Sequence, residues 1–355
     1  NVQLAAASHY NNRADTHRRL DSKSDTREQK NLNNWIKSVL IQTVVREDYS
    51  ILDLACGKGG DLPKWAKQKI GHYVGIDIAY KSVHDAIERY NGTPQRPAQC
   101  HFPAIWCAGN FVRPDLFKKL DERERGVRFD AVSCQFAIHY SWTSEMDART
   151  ALRNAARRLK PKGLFVGTTT DANVLIKKLQ EAPGLTFGNS LYRVEFLPPP
   201  GTDPKDFDKT FQGRSPFGLN YKFYLKDAVD DCEECLVHFP TFRKLGKEVG
   251  MDLVEEMNFV DYTERALKQS SKKKEYYDLF QRMRVLSHFN EGGTMSEDQW
   301  EVAHLYKVFV FAKKPDAPQD GSKGWKPVNA GKHVPVKPGD ICVLTEDCGP
   351  EAMGI

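Results

Sequence analysis

Ile51-Leu-Asp-Leu-Ala-Cys-Gly-Lys-Gly-Gly-Asp-Leu-Pro-Lys-Trp65 decides the fold of this 355-residue chain. Ile51 to Leu54 read as a short buried strand. Gly57, Gly59 and Gly60 make a turn, and Leu62, Trp65 and Ala66 begin a helical spacing, with Pro63 tolerated in the first turn. Strand, glycine turn and helix form a cradle whose main-chain N–H groups can come within contact of a ligand. A Walker loop would end in Gly-Lys-Ser/Thr, and here Asp61 follows Gly60. A dinucleotide loop would read G-x-G-x-x-G. The run from Ala55 reads A-C-G-K-G-G, one residue short and with alanine first.

The other cradle of this kind is the D-x-G-x-G-x-G loop of S-adenosylmethionine enzymes, with Asp53 at its head. Tyr73 to Asp77 read as the next strand, and Asp77 lies twenty positions after Gly57. A doubly wound fold places there the carboxylate that accepts hydrogen bonds from a ribose diol. NAD and S-adenosylmethionine both carry that diol, and both features also occur at ordinary strand ends. The alternation continues with a helix over 81–90 and a strand over 102–108 that ends at Gly109-Asn110, where an adenine would lie. A strand over 129–134 runs into Gln135 to Tyr140. A helix over 144–159 stops at Lys160-Pro-Lys-Gly163, and a strand covers 163–169. The pattern predicts an α/β doubly wound, mostly parallel sheet with its site outside the carboxyl strand ends. Four polar clusters, at 55–60, 77, 109–110 and 135–140, fall on that one edge.

Upstream, residues 1–30 mix cations and acids and read as a solvated helical arm, followed by an amphipathic helix over 31–45 that puts Asn33 and Lys37 on one face. Downstream, a proline- and glycine-rich stretch over 183–220 precedes a strand at 221–225, and a short strand is read at 235–239. A helix over 240–250 and strands at 251–259 and 304–312 close the sheet with an antiparallel hairpin. Residues 313–355 are rich in glycine and proline with balanced charge. They read as a loose tail dispensable for the core, with Trp325 and Ile341-Cys-Val-Leu344 able to dock on its surface.

Hydrophobic residues make up 40% and charged residues 28%, enough for a core and against a membrane span. The net charge of +5 permits an anionic partner without demanding one. Of the eight cysteines only Cys232 and Cys235 form a C-x-x-C, so no metal is expected and a reduced compartment is. The chain starts without methionine, and an upstream extension is expected.

Asn33-Asn-Trp-Ile-Lys-Ser-Val-Leu40, Leu52 to Leu62, Ser133-Cys-Gln-Phe-Ala-Ile-His-Tyr140 and Gly167-Thr-Thr169 together resemble the eukaryotic mRNA cap guanine-N7 methyltransferases, from about Tyr10 to Ala312 with motif order kept. The resemblance implies a seven-stranded class I methyltransferase sheet with an α/β insertion at about 183–240 inside a 31–312 domain. It implies methyl transfer from S-adenosylmethionine, leaving S-adenosylhomocysteine, to N7 of a GpppN cap in the nucleus, by a monomer working with capped RNA and transcription or capping machinery.

By the same resemblance Lys37, Ala55, Gly57, Asp77, Gly109, Asn110, Gln135 and Tyr140 would hold the cofactor, with Asp77 on the ribose. Asn33, Asn34, Lys58, Lys64, Arg89, His139, Glu234 and Tyr306 would hold the cap. His139, Glu234 and Tyr306 would position guanine, and no general base is expected. Ala55 stands where the family usually has glycine, tolerable if its φ is negative. Gly109 stands where the family usually has an aspartate near the adenine, a role Asn110 is expected to share. A dinucleotide oxidoreductase, a non-catalytic cap-binding module and a methyltransferase for another RNA or a small molecule are the other readings.

Overall fold

A computed structural model describes residues 2–12, 24–123, 126–286, 295–317 and 332–349. Helix α1 (Val2–Asn12) precedes α2 (Arg27–Val44), which leads into β1 (Ser50–Leu54), α3 (Leu62–Lys67), β2 (His72–Asp77) and α4 (Tyr80–Asn91). Next come β3 (Ala104–Ala108), α5 (Lys118–Arg123), β4 (Phe129–Gln135), α6 (Glu145–Arg157), β5 (Leu159–Thr170) and α7 (Ala172–Glu181). Four antiparallel strands follow: β6 (Thr186–Gly188), β7 (Tyr192–Phe196), β8 (Asn220–Leu225) and β9 (Val229–Cys235). The chain then forms α8 (Phe239–Glu248), β10 (Met251–Asn258), α9 (Phe259–Lys268), α10 (Lys273–Arg282), α11 (Glu297–His304), β11 (Tyr306–Lys313) and β12 (Cys342–Val343).

The main sheet runs β10-β11-β5-β4-β1-β2-β3-β12. β11 is antiparallel to both its neighbours, while β5, β4, β1, β2, β3 and β12 pair in parallel. This is the class I methyltransferase order with one added edge strand. The strands alternate their side chains between two cores, as the period of two requires. Ile51 packs with Trp35, Trp65, Tyr73 and Trp106 on one face. Leu52 and Leu54 pack with Val74, Ile76, Val132 and Phe165 on the other. Burial on both faces makes the strands near-continuous apolar runs.

Several expectations change. The sheet has eight strands rather than seven, because Cys342 and Val343 of the tail pair with Cys107 and Ala108. Trp325 lies outside the described residues. The insertion is all-β apart from a single turn at Pro204–Asp206, not α/β. The strand read at 235–239 ends at Cys235, and Phe239 already opens α8, the helix read from Pro240. Lys160-Pro-Lys-Gly163 does not separate helix from strand. It bulges out within β5, where pairing jumps from Phe129–Leu159 to Ala131–Leu164, and Lys162 takes φ +64. The arm is not wholly solvated: α1 buries Gln3, Ala6, Ala7 and Asn11, and the charged run over 13–23 lies outside the described residues.

Candidate active site

The glycine loop folds as its residues dictate. Gly57 and Gly59 take φ +52 and +69, the left-handed region open to glycine. The Gly57 N–H donates to Asp77 Oδ2 at 2.7 Å, and the Ala79 N–H donates to Asp77 Oδ1 at 2.9 Å. A carboxylate offers about four acceptor sites, so about two on Asp77 remain for a ligand. Burial pushes this carboxyl up to about 6, opposed by the two N–H groups. Ala55 also takes a positive φ, +62, so the expectation of a negative angle fails and its methyl group strains the turn. Asp53, at the head of the loop, is structural: it accepts from Tyr73 Oη at 2.9 Å and Trp65 Nε1 at 3.4 Å beneath the cradle.

A cavity of about 230 Å³ opens beside this loop, lined among others by Ala55, Gly57, Asp77, Asn110, Gln135 and Tyr140. The structure thus brings together six of the eight residues expected around a cofactor. Gly109 is not among the lining residues. A Cβ there would meet Leu116, Leu344 and Ile76 at 3.1–3.3 Å, inside the packing. Lys37 is not among them either; its ammonium pairs with Asp61 Oδ1 at 2.8 Å and lies 5.8 Å from the Phe136 ring centre. Gln3, Ala6 and Tyr10 of α1 line the cavity too. Nothing in the sequence marked them, because a short alanine-rich helix carries no periodic signal. Apolar walls with a few convergent acceptors fit a nucleoside such as that of S-adenosylmethionine.

Next to the cavity, β4 ends in Gln135, and Phe136 follows with φ +55, a strained angle that recurs at binding sites. Its ring meets Tyr306 edge-on at 5.2 Å. The short turn Ile138–Ser141 then carries His139 and Tyr140. His139 Nε2 lies 3.5 Å from Glu234 Oε1 without making a hydrogen bond, and Nδ1 is 3.4 Å from Thr169 Oγ1. Tyr221 Oη donates to Glu234 Oε2 at 2.8 Å across β8 and β9. Burial pushes the Glu234 carboxyl up to about 7, and it pushes His139 down to about 3. The imidazole is therefore neutral near pH 7. Tyr221 was missed by sequence reasoning, although its alternation with Phe223 and Leu225 marked it as inward-facing.

The cations have acidic neighbours. Lys64 pairs with Asp61 at 2.6 Å and donates to Asn34 Oδ1 at 3.1 Å. Lys58 pairs with Asp85 at 2.8 Å. Arg89 reaches over the loop, its Nη1 3.9 Å from where a Gly60 Cβ would stand. Asn33 Oδ1 on α2 is buried without a partner. A larger cavity of about 780 Å³, lined by Arg149, Arg153, Arg157 and Lys247, opens at the opposite strand ends and contains none of these residues.

The profile of the mRNA (guanine-N(7))-methyltransferase domain matches residues 1–314. The chain is 44% identical to the Arabidopsis thaliana mRNA cap guanine-N(7) methyltransferase 1 over 327 residues, 91% of this chain and 84% of that one. It is 44% identical to the Oryza sativa protein of the same name over 292 residues, 81% and 75% of the two chains. It is 36% identical to the mRNA cap guanine-N(7) methyltransferase of Schizosaccharomyces pombe over 320 residues, 88% and 83%.

Proposed function

The chain belongs to the mRNA cap guanine-N7 methyltransferase family, and from that premise we propose that it methylates N7 of the terminal guanosine of GpppN-capped RNA in the nucleus. The observation that supports this most is the buried His139–Glu234 pair, left without a mutual hydrogen bond, beside the cavity holding Asp77. Unsatisfied buried polar atoms in a native fold call for an explanation, and a guanine edge supplies one.

S-adenosylmethionine supplies a methyl group already activated on a sulfonium. Asp77 would accept from its ribose diol, with Gln135, Asn110 and Tyr140 around the remainder. Guanine N7 carries a lone pair and no proton, so the chemistry asks for neither a general base nor a metal. The protein has to align, hold and exclude water for an in-line displacement. Glu234 would accept from N1–H and the 2-amino group, which adenine does not offer as a pair. The ring becomes positive as it is methylated, and a carboxylate beside it favours that change. A neutral His139 can donate to O6 without adding a second positive charge. Tyr306 and Phe136 would confine the ring, and Lys58, Lys64 and Arg89 would face the triphosphate bridge.

Radiolabelled S-adenosylmethionine with GpppA-capped or uncapped RNA tests the proposal. Label should appear only on the capped RNA and at the guanine. Labelling of both RNAs alike points to another methyltransferase, and cap binding without label points to a non-catalytic module.

A further inference from the structure

The segment Ile341–Cys348 packs against the cavity wall from outside the region matched by the family profile, which ends at residue 314. β12 runs parallel to β3, and the Leu344 N–H donates to Ala108 O at 2.7 Å. The segment therefore advances toward the same strand edge that carries the site. Leu344, Thr345 and Cys348 are buried there. Two of the segment's side chains bind Asn110, and Arg113 Nε lies 3.9 Å from Asp347 Oδ2. The Asn110 N–H donates to Thr345 Oγ1 at 3.1 Å, and Asn110 Nδ2 donates to Asp347 Oδ2 at 3.2 Å. Asn110 Oδ1 accepts from Val112 N–H at 3.2 Å.

An amide held this way cannot turn over. A carboxylate accepts only from the NH₂ end, so Asp347 fixes which end of Asn110 is which. Asp347 stays ionised: burial works against the charge, and donors from Thr345, Asn110 and Cys348 and the nearby Arg113 hold its carboxyl below the usual range. One N–H of the Asn110 amide is taken by Asp347, and the other remains for the cavity that Asn110 lines. Gly109 belongs to the same arrangement, since a Cβ there would stand 3.1 Å from the Leu344 Cβ. A side chain at 109 would press on this segment, which would have to give by a few tenths of an ångström.

We propose that residues 341–348 back the cofactor site from behind Asn110 and that Asp347 is a positioning residue, which orients the Asn110 amide toward the base of the bound nucleoside. The inference rests on the reading of the cavity as the S-adenosylmethionine site. It gives the cavity wall at Asn110 a backing from a chain segment more than 200 residues away.

Calorimetry of the full chain with S-adenosylhomocysteine, together with initial rates on GpppA-RNA, tests it. Wild type must bind first; failure to bind overturns the reading of the cavity and this proposal with it. Asp347→Ala should weaken binding roughly tenfold, the worth of one charge-assisted hydrogen bond. The KM for S-adenosylmethionine should rise by a like factor, with kcat and the KM for capped RNA unchanged. Asp347→Asn keeps an acceptor oxygen and should recover most of the loss. Gly109→Ala should act in the same direction by displacing Leu344. It should add little to Asp347→Ala in the double variant, because both act through one segment. Unchanged cofactor affinity in Asp347→Ala overturns the proposal. So does a fall in melting temperature with both KM values moving together and no rescue by asparagine, which marks a purely structural residue.

Discussion

Two residues concentrate the local energetics of the site. Ala55 sits at φ +62, where an L side chain costs about 1–2 kcal/mol relative to the right-handed region. Glycine removes that strain and gives back part of it as unfolded-state entropy. Ala55→Gly should therefore raise stability by about 0.5–1 kcal/mol, read as a higher denaturation midpoint at unchanged slope; a lower midpoint would show that the methyl group packs usefully. Glu234 carries a different cost. Its carboxyl is raised to about 7 by burial, and the proposed guanine contact needs it ionised to accept both donors. Below pH 7 cap binding then has to expel a proton, so affinity for GpppA should rise roughly tenfold per pH unit up to about 7 and flatten above it. Glu234→Gln should bind roughly a hundredfold more weakly with a flat profile. Glu233, on the other face of β9, accepts from Asn220 Nδ2 at 2.6 Å, and Glu233→Gln should keep the wild-type curve. A similar loss in both variants would place the guanine contact elsewhere. Asp77, Gln135 and His139 were legible as candidates because they stand at or just beyond carboxyl strand ends. Glu234 entered only through family resemblance, for nothing local separates it from Glu233 until the strand register is known.

At the scale of elements, the antiparallel sheet β9-β8-β7-β6 is tied to the main sheet beside Glu234. Tyr221 is its rivet: the hydroxyl donates to Glu234 and lies 2.8 Å from Thr170 Oγ1 at the end of β5. That donation lowers the Glu234 pKa against the effect of burial. Tyr221→Phe removes it, so the carboxyl should titrate still higher and the cap-binding curve should shift to more alkaline pH. Affinity lost at pH 7 should return by pH 8.5; a loss that persists at every pH would mean that the sheet itself has moved. The elements over 51–170 were readable because period-two and period-3.6 patterns alternate there with glycine and proline punctuation. α9 was missed although Phe259, Tyr262, Thr263 and Ala266 are buried at helical spacing. The strand over 251–259 absorbed its first residue, and the Asn258 side chain that caps the helix, accepting from the Val260 N–H at 3.1 Å, was passed over.

For the molecule as a whole, the central question is where the domain ends. A sheet closing at β11 makes everything beyond Lys313 dispensable, and composition alone supports that division. The parallel pairing of β12 with β3 spans 235 positions and only two residues, which no local pattern can announce. Burial of Ile341 and Leu344 is worth roughly 1.5–3 kcal/mol each. At about 2–4 °C per kcal/mol for a domain of this size, removing residues 341–355 should lower the melting temperature by on the order of 10 °C. Such a shortened chain also loses Asp347 and uncovers Gly109. In the full chain Gly109→Asp has to push Leu344 aside and should weaken cofactor binding. In the shortened chain one of the three nearest atoms to that Cβ is gone, Leu116 Cδ1 and Ile76 Cγ2 staying at 3.1 and 3.3 Å, and the new carboxylate can turn toward the side that Leu344 and Asp347 have left, beside the freed Asn110 amide. The same substitution should then strengthen binding of S-adenosylhomocysteine relative to the shortened parent. A sign reversal between the two chain lengths, measured by calorimetry at one temperature below both melting points, is the expected outcome. A Gly109→Asp effect of the same sign in both would show that tail and carboxylate are not alternative solutions to one wall of the site.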